Sequence, residues 1–236
     1  MAVIDSWWAR RPTGAGRAAL RAYRHLPRSA RVHATIRWWS APFPRIAAFL
    51  PTSGRVLEIG CGHGLFSTYA ALAGPGRSVV GVDIDADKIA LARQAEAQLP
   101  GVDLTFRVAE SGAVPTGPWD AIVIVDVLYL LPAPAQRALL HQAAAQLADG
   151  GQLLVKEMSP RPRWKAAWNR GQETLAVSVL GITEQDAAGR AAPFDFVDPS
   201  TMASWLRDAG LWTAQLRLDR HRLHPHHLVI GRVGPE

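Results

Sequence analysis

The feature that most limits what this chain can fold into is a repeated alternation, from residue 55 onward, of short β-branched runs with helical stretches. Residues 55–60 (RVLEIG) are a strand-like run ending in glycine, and 65–73 have helical composition up to the Gly74-Pro75-Gly76 stop. A second strand over 78–82 ends at Asp83, and Asp85 is placed to cap a helix running to about residue 98. A weaker strand over 102–108, an apolar one over 119–125, a helix over 134–148 and a fifth strand over 152–155 continue the rhythm. Strands joined by helices in this order imply right-handed crossovers and an α/β, doubly wound, mostly parallel sheet. The rhythm fails near the end. After a helix over 199–209, strands over 211–218 and 227–233 lie too close for a crossover helix, so they must pair antiparallel.

Open sheets of this kind bind ligands outside the carboxyl ends of their parallel strands, so Gly60, Asp83, Val108, Val125 and Val155 point at one crevice. Residues 1–50, a basic Trp/Arg-rich helical cap, and 159–198, a lid-like insertion within a domain spanning 51–236, are free to roof it. The cap holds nine arginines and one acid, Asp5, against a net charge of +6 for the whole chain, so the remainder is near neutral. It also carries Trp7, Trp8, Trp38 and Trp39 of the nine tryptophans. Arginine with tryptophan suits a surface that meets phosphates of lipid head groups, nucleic acid or a phosphorylated substrate; the plainer alternative is arginine filling exposed helix positions. No run reaches the roughly eighteen apolar residues of a membrane span. Cys61 is the only cysteine, which excludes an intrachain disulfide and thiolate metal clusters. The expected location is the cytoplasm, with the basic segment able to touch the inner membrane face.

Gly60-Cys61-Gly62-His63-Gly64 follows a strand and opens a helix, where glycine lets the main chain turn tightly and approach a ligand. The dinucleotide fingerprint is G-x-G-x-x-G, but here the spacing is G-x-G-x-G and position 65 is Leu. The nicotinamide reading therefore loses its most specific element. Asp83, at the end of the second strand, suits any nucleoside because a carboxylate accepts from both ribose hydroxyls.

Four ordered motifs, VLEIGCGHG over 56–64, GVDID over 81–85, PWDAIV over 118–123 and LADGG over 147–151, resemble class I S-adenosylmethionine-dependent methyltransferases. The resemblance is strong over about residues 52–158 and implies a seven-stranded Rossmann-like sheet whose last strand is antiparallel. It implies S-adenosylmethionine as donor and S-adenosylhomocysteine as product. Carried onto this sequence, it puts Gly60, Cys61, Gly62, His63 and Gly64 around the methionine moiety, with Glu58 organising the loop near its amino group. Asp83 would bind the ribose and Ile84 would lie against the adenine. Many relatives carry Gly-Asp-Ala after the third strand; the matching residues here are Ala109-Glu110-Ser111, so Glu110 and Ser111 are the candidates for the adenine edge.

Methyl transfer from a sulfonium gains most from holding the partners in line, and a protonated acceptor also needs a base. Asp126 and Tyr129 follow the fourth strand and Glu157 closes the fifth, which makes all three candidates; Asp126 would also face the donor. The Asn/Asp-Pro-Pro-Tyr/Phe tetrad of nucleic-acid amino methyltransferases is absent. Four of eight histidines fall in 221–227, a stretch that Pro225 interrupts, so a structural or solvent-facing role is favoured over metal ligation. His221 and His224, in the turn beside the crevice, are further candidates for the base. Trp164 and Trp168 share a helical face in the insertion; packing onto the sheet or the N-terminal helices is the favoured reading, and the alternative joins them to Arg37 and the rest of 37–43 (RWWSAPF) in an aromatic, basic roof. The expected activity is methyl transfer to an O, N or C atom of a small-molecule or lipid-like acceptor, with peripheral membrane contact through the N-terminus. The alternatives are an RNA methyltransferase gripping phosphates through that segment, and a donor-binding protein without turnover.

Overall fold

The structure, a computed structural model, describes residues 12, 14–158, 194–218 and 226–234. Seven strands form one sheet: β1 (Ser53–Ile59), β2 (Gly76–Asp83), β3 (Leu104–Val108), β4 (Trp119–Val125), β5 (Leu147–Met158), β6 (Leu211–Arg217) and β7 (His226–Val233). Their spatial order is β3-β2-β1-β4-β5-β7-β6. β1 to β5 run parallel, while β7 pairs antiparallel with both β5 and β6, which meets the expectation for the terminal strands.

Strand alternation sends neighbouring side chains to opposite faces, and two cores result. Val56, Val123 and Leu154 face one core, shared with α1 (Ala15–Ala22), α2 (Arg28–Ser40), α3 (Phe43–Ala47), α4 (Leu65–Ala73) and α5 (Ala86–Glu96). Leu57, Ile122, Ile124 and Val155 face the other, covered by α6 (Ala133–Ala144) and α7 (Pro199–Asp208). Asp85 caps α5 by accepting from the Asp87 and Lys88 amides. Pro27 sits at the start of α2 and so separates it from α1, as proline at a helix entry does.

The largest boundary difference from the sequence expectation falls between the sixth helix and the fifth strand. The helix expected to reach residue 148 ends at Ala144, and β5 begins at Leu147 rather than 152. Leu147 pairs with Trp119, whose amide donates to the Gln146 carbonyl, so ladder pairing outweighs the helical propensity of the Ala/Leu/Gln run. The crevice opens where the order turns from β1 toward β2 on one side and β4 on the other, with α1 and α2 packed over the glycine loop.

Candidate active site

The donor side of the crevice is built from main chain and a few acids. Gly60 and Gly62 have φ of 72° and 54°, a region that β-carbons disfavour. A Cβ on Gly60 would meet Val127 at 2.4 Å, whereas one on Gly62 would meet nothing within 4 Å. Gly60 is thus glycine for packing, and Gly62 borders open space. Asp83 takes the Gly62 amide on one carboxylate oxygen at 2.7 Å and the Asp85 amide on the other at 3.0 Å, tying the loop to the end of β2. Glu58 is buried beneath the loop and accepts from both the amide and the hydroxyl of Ser67, in the first turn of α4. Burial pushes the Glu58 carboxyl up to about 8. Cys61 is buried and its thiol is pushed up by the same cause, so it is a packing residue rather than a nucleophile. Ile84 is exposed beside Asp83, and Glu110 and Ser111 lie exposed in the turn after β3.

The cap is bound directly to this loop. Tyr23, at the end of α1, donates its hydroxyl to the His63 carbonyl at 2.7 Å. His33 of α2 lies on the His63 ring at 4.4 Å between centroids. Burial, and then the neighbouring His63, lower the His33 imidazole to about 3, so it stays neutral in the pH range of life. His63 is lowered by burial as well, and its Nδ1 is a buried polar atom without a hydrogen-bond partner among the described residues.

The acceptor side is different in kind. Asp126, the residue after β4, has φ of 58°, the only positive value outside glycine among the described residues. Its carboxylate is shared between the Lys156 ammonium and the Arg37 guanidinium, the latter at 3.0 Å. Lys156 is fully buried on β5, and Arg37 reaches in from α2. Burial alone would raise the Asp126 carboxyl, but Lys156, Arg37 and His226 together outweigh it and hold it well below the usual carboxylate range. Asp126 is therefore a weak base, and its geometry is that of a clamp. Glu157, one residue beyond Lys156, is buried; its Oε1 accepts from the Val127 and Leu128 amides at 2.9 and 2.7 Å. Its Oε2 has no hydrogen-bond partner among the described residues. Burial, with the Asp126 charge adding to it, pushes Glu157 up to about 8.

Tyr129 stacks on Phe196 at 5.1 Å and meets Phe194 edge-on at 5.5 Å, and its carbonyl accepts from the Asp195 amide. The chain returning to α7 thus makes an aromatic wall beside the end of β4. His221, His224, Trp164 and Trp168 lie outside the described residues. Sequence reasoning missed Lys156, Tyr23 and His33, and it set Arg37 in the roof without its bond to Asp126. Lys156 did leave a signal, a lone cation inside the apolar run LLVKEM beside a candidate acid.

This sheet order, with the glycine loop after β1 and the acid after β2, is the arrangement of class I methyltransferases. A methyltransferase-domain family model matches residues 31–216, and the chain belongs to that family. It is an S-adenosylmethionine-dependent methyltransferase acting on a small-molecule acceptor. Among relatives, it is 29% identical over 195 residues to a ubiquinone biosynthesis O-methyltransferase of Xanthomonas axonopodis pv. citri, covering 74% of this chain and 75% of that one. It is 32% identical over 176 residues to the protein of the same name from Xylella fastidiosa, covering 70% and 64%. Among solved structures, an O-methyltransferase family protein from Burkholderia thailandensis superposes with a TM-score of 0.65 at 20% identity, over 90% of this chain and 61% of that one. The magnesium protoporphyrin IX methyltransferase of Synechocystis, with bound S-adenosylhomocysteine, does so at 0.62 and 18%, over 94% and 96%. These structural likenesses bear on the fold. The residues present fit the donor: the open side of Gly62, the adjoining carboxylate of Asp83 and the exposed apolar Ile84 offer main chain, a hydroxyl acceptor and a flat apolar contact.

Proposed function

We propose that the chain methylates a hydroxyl oxygen on an aromatic, lipid-like acceptor, with Glu157 as the general base and the arginine-rich N-terminus in peripheral contact with a membrane. The observation that carries this reading is the Glu157 carboxyl: buried, raised to about 8, with Oε1 anchored on two amides and Oε2 without a partner among the described residues. An oxygen acceptor is the class that needs such a group, because a phenol of pKa near 10 must lose its proton as it attacks, and a base tuned near working pH does this best. The relatives named as ubiquinone biosynthesis O-methyltransferases support oxygen as the acceptor atom and a tailed aromatic ring as its carrier.

S-adenosylmethionine, when bound, supplies a methyl group on a positively charged sulfur. The loop over 60–64 and Asp83 would hold and orient it, with Ile84, Glu110 and Ser111 available to the adenine. Arg37 and Lys156 fix Asp126, which fixes the turn after β4 against which the acceptor is placed. Tyr129 with Phe194 and Phe196 gives an aromatic acceptor a stacking wall. Glu157 Oε2 would take the proton of the acceptor hydroxyl as that oxygen is methylated. The α1–α2 cap keeps water from the donor loop through the Tyr23 and His33 contacts.

The test is release of S-adenosylhomocysteine from a panel of catechols with and without isoprenoid tails, aromatic amines and single-stranded RNA. Tailed catechols should be turned over with the highest kcat/KM. Turnover confined to amines or RNA would overturn the reading.

A further inference from the structure

We propose that the outward face of α2 is a docking surface for an anionic lipid bilayer. The inference rests on the lipid-like acceptor proposed above and goes further by naming the face, the lipid chemistry and the route of the substrate.

α2 is apolar on two sides. Ala30, Ala34 and Trp38, at i, i+4 and i+8, are buried against the rest of the protein. Val32, Ile36 and Trp39, at i, i+4 and i+7, form a second stripe that is 48%, 59% and 44% exposed. Seven large hydrophobic side chains are exposed among the described residues, and three of them are these. Scattered exposed hydrophobics need no explanation, but a stripe along one helix marks an interaction face.

The surroundings of the stripe select the partner. Arg28 and Arg31, with Val32, Thr35 and Ile36, line a groove of about 300 Å³. Arg24 and Arg31 line a second groove of about 260 Å³ between α1 and α2. No aspartate or glutamate occurs between Asp5 and Glu58, so the cations have no acid on their own segment. An aliphatic centre ringed by arginine matches a surface that offers phosphate and hydrocarbon within about 5–10 Å of depth, which a membrane interface does. Trp39 at the end of the stripe suits the head-group zone. A nucleic acid would meet the arginines but give Val32 and Ile36 nothing to bury against. A second copy of the face would bring arginine against arginine.

The position of the helix gives the contact a use. The other side of α2 supplies His33 to the donor loop and Arg37 to Asp126. A bilayer on the outer face therefore holds the crevice at the membrane surface, where the aromatic head of a tailed acceptor can enter while its tail remains in lipid.

The experiment is flotation of the whole chain with vesicles of phosphatidylcholine, alone or mixed with phosphatidylglycerol. The native chain should bind the mixed vesicles, more weakly as salt rises, and scarcely bind phosphatidylcholine alone. Each arginine near an anionic surface contributes about fivefold in partitioning, so Arg28→Gln/Arg31→Gln should bind about 25-fold less. Val32→Ser/Ile36→Ser/Trp39→Ser should lose at least about tenfold through lost apolar burial. Both variants should keep the native melting midpoint and turnover of a tail-less catechol in solution. The proposal is overturned if the native chain ignores phosphatidylglycerol vesicles, if the triple variant floats as well as the native chain, or if the stripe residues prove to control self-association or RNA binding instead. Failure of the oxygen-acceptor reading would show separately, as absent catechol turnover with vesicle binding intact.

Discussion

The two sides of the crevice are held by different means. On the donor side a short main-chain bend, fixed by Asp83 and Glu58 over local hydrogen bonds, presents an open surface at Gly62. On the acceptor side a buried carboxylate after β4 is held by two cations from β5 and α2, with a raised acid behind it. The acids of the first come from the adjoining β1–α4–β2 unit; the second exists once β4, β5 and the cap have assembled. A donor common to a family can be served by a fixed local motif, while an acceptor particular to one enzyme is served by contacts that each chain composes afresh.

That contrast is broken most severely at Glu157. Glu157→Gln keeps the size and the amide acceptor oxygen but cannot take a proton, and kcat should fall by about 100- to 10,000-fold with donor affinity unchanged. With the carboxyl raised to about 8, the native enzyme holds that proton at neutral pH, so log(kcat/KM) should climb with unit slope toward about pH 8 and then level. The variant should lack this limb. The linkage to stability has the opposite sense: a raised carboxyl stabilises the fold fully below the ordinary carboxylate pKa, and that stability is lost as pH rises toward about 8. A native profile flat between pH 6 and 9 would remove Glu157 from the chemistry.

The clamp is the next lever. Lys156→Met leaves Asp126 charged and buried, with Arg37 its remaining ion-pair partner among the described residues, and removing one partner of a buried pair costs about 3–5 kcal/mol. Chemical denaturation should register a loss of that size. Adding Asp126→Asn, which tolerates the left-handed backbone, should restore most of it. If the single variant is as stable as the native chain, the acceptor side is not organised by this cluster.

The contrast also explains what could be read before folding was known. The glycine loop, Asp83 and the capping Asp85 were legible because each answers a demand made within a few residues: a positive φ, a strand end, a helix start. The strand order followed from crossover handedness, and the antiparallel end from a short connection. The pairing of Arg37 and Lys156 with Asp126 was not legible, because they meet it across 89 and 30 residues and nothing local marks a partner that distant. Asp126 itself was picked out as a reacting group from its position at the sheet edge; its two cations, invisible in the local sequence, change it from a proton acceptor to a fixed anchor. The end of α6 was misplaced for a related reason, since pairing of Leu147 with Trp119 is a tertiary event that helix propensity does not register.

Asp83→Ala carries the smallest expected effect and the sharpest contrast with the clamp. The carboxylate accepts from the Gly62 and Asp85 amides, and the proposed ribose contact would add hydrogen bonds to the same charge. Charge-assisted hydrogen bonds are worth about 1.5–3 kcal/mol, so titration calorimetry should show S-adenosylmethionine binding about 10- to 100-fold more weakly. The partly exposed site lets water replace the lost acceptor for both amides, so the melting midpoint should move far less than in Lys156→Met. Weakened donor binding with an intact fold on one side, and an intact donor site with a weakened fold on the other, is the pattern that two independently held sides require. Equal loss of both properties in both variants would mean that the loop and the clamp stand or fall as a single unit.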